Sequence, residues 1–88
     1  MKSVLVYTAD GCSNCHAVTE FLDALGVEHA DINVSTDKAA RERLINMGFT
    51  GVPLIVITDA NDPTDEGDII IGANFSELTA ALRFAELI

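Results

Sequence analysis

The chain has 88 residues, of which 49% are hydrophobic and 22% charged, and carries a formal charge of −9. This suffices for one small core, read as a single domain over residues 1–88, and the apolar runs are too short to span a bilayer. The negative balance excludes nucleic acid and anionic membrane as natural partners and favours a partner with a basic docking face. Lys2 is followed by neither a long apolar segment nor a small-residue cleavage site, so the expected location is the cytoplasm, and the expected state is a monomer.

Val4-Leu5-Val6-Tyr7 interleaves two apolar rows, the pattern of a central strand covered on both faces. From Ser13 to Leu25 the residues Val18, Phe21, Leu22 and Leu25 recur at helical spacing, and Gly26 stands where a left-handed cap is expected. Val27 to Val34 reads as a second strand, with Ala30, Ile32 and Val34 alternating against Asp31 and Asn33, parallel to the first through a right-handed crossover. Ser35, Thr36 and Asp37 offer caps for a second helix that turns Ala40, Leu44 and Met47 inward, shows Lys38, Arg41 and Arg43 outward and closes at Gly48. Leu54 to Ile57 is a β-branched strand, Asp59 to Gly67 a polar turn and Asp68 to Ile71 its hairpin partner. The last helix begins near Asn74, whose spacing to Glu77 is that of a capping box, and buries Leu78, Ala81, Leu82 and Ala85. The order β-α-β-α-β-β-α predicts an α/β fold in which a mixed four-stranded sheet is flanked by three helices.

The chain's two cysteines, Cys12 and Cys15, stand where the first strand hands over to the first helix. Unpaired N–H groups and the positive end of the dipole favour a thiolate there, and Cys15, three residues on, is placed to resolve a mixed disulfide on Cys12. Cys15 extends the apolar face of the helix, which makes it the more buried of the two and Cys12 the attacking sulfur. Ser13 and Asn14 between them tune the potential, and His16, one turn past Cys12, is a candidate to stabilise the thiolate or pass a proton to the leaving sulfur. Cys12-Ser13-Asn14-Cys15-His16 also matches a c-type haem attachment pattern, against which stand the missing export signal and the strand-rich order. A zinc site from Cys12, Cys15, His16 and His29 is disfavoured because neighbouring residues diverge on a helix, and calcium in the Asp59 to Asp68 turn because Pro63 and Thr64 break the loop pattern, so no metal site is expected.

Gly51-Val52-Pro53 directly precedes the third strand, a place where proline is tolerated. Together with the Cys-x-x-Cys hand-over this resembles the thioredoxin fold, and the short chain with its β-α-β start resembles the glutaredoxin branch. The resemblance implies a cis peptide bond at Pro53, a substrate backbone paired by Val52, a groove walled by Tyr7, Thr8 and Phe75, and a turn at Gly72-Ala73-Asn74-Phe75-Ser76 that in glutathione-using members helps grip the γ-glutamyl end of the tripeptide. The aspartate pair common in glutathione-binding members is replaced by Phe75 and Ser76, and Asp10 stands where a lysine is often found. Both departures argue against glutathione, itself anionic, and are better suited to the NrdH-redoxins, glutaredoxin-like proteins that carry electrons from thioredoxin reductase and NADPH to ribonucleotide reductase. The Cys-x-x-Cys-His run is also similar to that of the mycothiol-dependent mycoredoxins. The resemblance therefore implies a reductase of protein disulfides with no tightly bound cofactor, its alternatives being a glutathione- or mycothiol-dependent enzyme and a non-catalytic Fe–S-binding redoxin.

Overall fold

The computed structural model describes residues 2–59, 61 and 67–88. Four strands, β1 (Ser3–Thr8), β2 (Ala30–Asn33), β3 (Leu54–Thr58) and β4 (Asp68–Ile71), form one sheet in the order β2-β1-β3-β4. β1 runs parallel to β2 and antiparallel to β3, which pairs antiparallel with β4. The doubly apolar β1 is thus central, as its two rows require. Helices α1 (Ser13–Ala24), α2 (Lys38–Asn46) and α3 (Phe75–Phe84) complete the β-α-β-α-β-β-α order, which is the thioredoxin fold.

The sheet separates two cores. Val6, Ile55 and Ile70 are paired in register across β1, β3 and β4, and all are essentially inaccessible. With Val4 and Ile57 they pack beneath Val18 and Leu22 of α1 and Leu78 and Leu82 of α3. Burying each such side chain contributes about 1.5–3 kcal/mol. On the opposite face Tyr7 and Leu54 pack with Val34 and with Ala40 and Leu44 of α2 in a smaller cluster.

Three expectations are corrected. Met47 does not face inward: α2 ends at Asn46, Met47 is its C-cap and 44% exposed, and Phe49, beyond the Gly48 turn, packs against the cluster instead. The second strand is shorter than Val27 to Val34. The chain leaves α1 through a bond from the Val27 N–H to the Leu22 carbonyl, which commits Val27 to the helix end, and pairing with β1 starts only at Ala30. The alternation also fails at Ala30, which is exposed on this edge strand, although Val34 is buried. Of the polar turn and its calcium reading, residues 60 and 62–66, including Pro63 and Thr64, lie outside the described residues. Among the described residues no helix is long and apolar enough to cross a membrane.

Candidate active site

β1 ends at Thr8, and Ala9-Asp10-Gly11 carries the chain over the end of the sheet into α1. Cys12 is the N-cap of that helix, its backbone extended at φ −90° and ψ 100°, and its Sγ accepts the N–H of Cys15 at 3.1 Å. A cysteine here takes the place of the serine or aspartate that usually satisfies a first-turn donor. The two sulfurs are joined as a disulfide. Cys15 is buried at 3% exposure while Cys12 is partly exposed, so an incoming sulfur can reach only Cys12. In this oxidised form the Cys15 N–H points at the Cys12 sulfur, a direction of approach suited to a sulfur anion.

The cysteines open into a surface groove lined by Thr8, Asp10, Ser13, His16, Thr19 and Asp31. Thr8, Ser13 and His16, all expected at the site, therefore share it with the cysteines, and Asn14 is exposed on the first turn of α1. The imidazole of His16 lies 3.0 Å from the Glu20 carboxylate one turn further along, with both side chains largely exposed. His29 does not line the groove, and each of its ring nitrogens is engaged by a carboxylate, Nε2 with Asp23 at 2.8 Å and Nδ1 with Asp31 at 2.5 Å.

Tyr7 is not in this groove. It is buried in the core beneath α2, pointing to the opposite face from its neighbour Val6. The Val52–Pro53 bond is cis, with Val52 half-buried and Pro53 buried. The Pro53 carbonyl accepts the Gly72 N–H at 2.9 Å, which ties the segment before β3 to the turn before α3. Asn74 is the N-cap of α3: its side chain accepts the Glu77 N–H at 3.2 Å and donates to the Glu77 carboxylate at 3.0 Å. One of the helix donors suited to a bound carboxylate is thus already taken. The Phe75 ring rests against Phe21 of α1, centroids 4.9 Å apart and planes at 48°.

Sequence reasoning missed the brace that holds the loop before Cys12. Asn33 donates from Nδ2 to the Asp10 carboxylate at 2.8 Å, its Oδ1 accepts the Ser35 N–H at 2.9 Å, and the Ser35 hydroxyl accepts the Asp10 N–H at 3.0 Å. The signal that could have found it is register, since a parallel β1–β2 pair puts Asn33 opposite Thr8, next to the loop.

Comparison with known proteins agrees with this geometry. The glutaredoxin family model matches residues 4–60. The glutaredoxin-like protein NrdH of Salmonella typhimurium is 30% identical over 57 residues, which are 65% of this chain and 70% of that one. The crystal structure of the thioredoxin-like protein BC3987 is 30% identical, with 91% of this chain and 100% of that one covered at a TM-score of 0.76. The NrdH-redoxin from Escherichia coli, 23% identical, shares the fold at a TM-score of 0.74 over 89% of this chain and 92% of its own.

Proposed function

The chain belongs to the glutaredoxin family, and from that premise we propose that it reduces protein disulfides by dithiol exchange, with electrons supplied by thioredoxin reductase. The observation that carries this reading is the N-cap position of Cys12, partly exposed and bonded by the Cys15 N–H, beside a buried partner sulfur. In the reaction the Cys12 thiolate attacks one sulfur of the substrate disulfide, forms a mixed disulfide and expels the other sulfur as a thiolate, which takes a proton from water. The Cys15 thiol then loses its proton and attacks the Cys12 sulfur. The second substrate thiol leaves, and two electrons have passed from the protein dithiol to the substrate. NADPH restores the dithiol through the reductase by returning two electrons.

Thioredoxin reductase is favoured over glutathione by Asp10 in the groove, by the missing aspartate pair at Phe75 and Ser76, and by the Asn74 cap. The E. coli structural neighbour, a glutaredoxin-like protein, is described as having a thioredoxin-like activity profile. Ribonucleotide reductase is the substrate proposed on the likeness to NrdH, and the cytoplasm the compartment where NADPH feeds such a chain. Val52 and Pro53 would align the substrate backbone, beside the turn of Gly72 that Pro53 holds.

The test is NADPH consumption with a protein disulfide, comparing thioredoxin reductase with glutathione plus glutathione reductase. Turnover at least tenfold faster with thioredoxin reductase is expected. Cys12→Ser should abolish turnover, and Cys15→Ser should accumulate a mixed disulfide detectable by mass. Turnover with glutathione alone would overturn the choice of reductant, and no trapped adduct would overturn the two-cysteine route.

A further inference from the structure

Resting on the reading of a protein-disulfide reductase, we propose that Asp10 is a specificity-determining residue that selects disulfides flanked by lysine or arginine. The dithiol fixes where a substrate must come: its sulfur has to approach Cys12, so the residues beside that sulfur enter the groove formed by Thr8, Asp10, Ser13, His16, Thr19 and Asp31. No lysine or arginine lines that groove. The charges that do line it are not equivalent. The His16 imidazole lies beside the Glu20 carboxylate, and the Asp31 carboxylate is paired with His29. Asp10 is held by Asn33 at 2.8 Å, a neutral amide that orients the carboxylate without cancelling its charge.

The brace makes this a fixed feature. The Asp10 backbone is held by Ser35, and Ser35 by Asn33, so the carboxylate is positioned two residues before Cys12 rather than sweeping through solvent. A preoriented charge discriminates between partners at little ordering cost when they bind. A cation next to the scissile sulfur is attracted by Asp10, and an anion in the same place is repelled with no lysine or arginine of the groove to offset it. The surrounding charge of −9 acts in the same direction at longer range but is screened beyond about 10 Å in 0.1 M salt. Close attraction in the groove is what distinguishes substrates at working ionic strength.

The experiment is a single-turnover reduction by the whole protein, reduced beforehand with dithiothreitol and freed of it. It uses three disulfide-linked peptides identical except for lysine, alanine or glutamate flanking the cysteines. For the wild-type protein the lysine peptide should react about tenfold faster than the glutamate peptide at low salt, and the ratio should fall below about threefold at 0.5 M salt. Asp10→Asn should bring the ratio to within about threefold of unity even at low salt, and Asp10→Lys should invert it. Asp31→Asn, which also removes a partner of His29, should lower the ratio less than Asp10→Asn does. Taking the ratio cancels any change in Cys12 reactivity caused by the substitution. Equal wild-type rates for the lysine and glutamate peptides, or a full preference retained in Asp10→Asn, would overturn the proposal. Failure to reduce the alanine peptide would overturn instead the reductase reading beneath it.

Discussion

At the scale of single residues the paired carboxylates around His29 set a pH dependence. Its side chain is only 8% exposed, yet Asp23 from α1 and Asp31 from β2 each take one ring nitrogen, with Glu28 adjacent in the chain. Burial disfavours the imidazolium, but the hydrogen bonds to Asp23 and Asp31, aided by their charges, outweigh it, so the pKa lies above the ordinary 6.5. Only the protonated ring can donate from both nitrogens at once. Because the folded value is raised, the contribution to stability is complete below the unfolded value of 6.5 and is lost as pH rises through the folded one. Unfolding free energies of wild type and His29→Gln, measured with the disulfide intact at pH 5.5 and 8.5, should differ more at the lower pH. A gap that is constant or wider at pH 8.5 would mean the neutral ring is the stabilising form. The sequence suggested only a zinc role for this histidine, because its partners lie six residues back and two ahead, a juxtaposition created by the turn after α1.

At the scale of elements the three helix ends share one pattern and differ in one residue. After α1, Gly26 at φ +70° donates to the Asp23 carbonyl and Val27 to Leu22; after α2, Gly48 at φ +89° donates to Ile45 and Phe49 to Leu44. After α3 the same two bonds run from Glu86 to Arg83 and from Leu87 to Leu82, but Glu86 occupies the left-handed position at φ +60°. A side chain there costs about 1–2 kcal/mol, whereas glycine costs about 0.4–1 kcal/mol in unfolded-chain entropy. Glu86→Gly should therefore stabilise by about 0.5–1 kcal/mol and raise Tm by about 2–8 °C. Glu86→Gln removes the same charge without freeing the backbone, so an equal gain from it would assign the effect to electrostatics. These ends also show what the sequence can express. Gly26 and Gly48 announce two stops, and the capping spacing of Asn74 and Glu77 announces a start, because each depends on neighbours in the chain. The exposure of Met47 and burial of Phe49 were not legible, since both residues are apolar and the last turn of α2 decides between them. The length of β2 was equally hidden, because Val27 and Val34 look like strand residues and are buried for other reasons.

At the scale of the whole molecule the site is assembled from segments distant in sequence, and that determines which parts could be read. Cys12 and Cys15 were legible because their chemistry needs only a helix start and a spacing of three. The Asn33–Asp10 brace spans 23 residues and exists only once β1 and β2 align in parallel. Tyr7 was misplaced because the alternation of β1 decides its face, and that face belongs to the α2 core. The sequence carries 14 acidic residues against 5 lysines and arginines. Compaction moves these charges closer together than in the unfolded chain, so the folded state bears more self-repulsion. Among the described residues, the His16 contact with Glu20 is exposed and worth little, and the His29 clamp is short-ranged and partly buried. Salt screens distant repulsion more than close contact. The balance favours repulsion, and raising sodium chloride from about 0.01 to 0.5 M at pH 7.5 should stabilise the oxidised protein by about 1 kcal/mol, a rise of about 4–8 °C in Tm. A general ion effect at high concentration is separated by the shape of the curve, since screening acts mostly below about 0.2 M, where the Debye length falls fastest. A Tm that falls over this range would show that the local ion pairs, rather than the net charge, dominate the electrostatics of the fold.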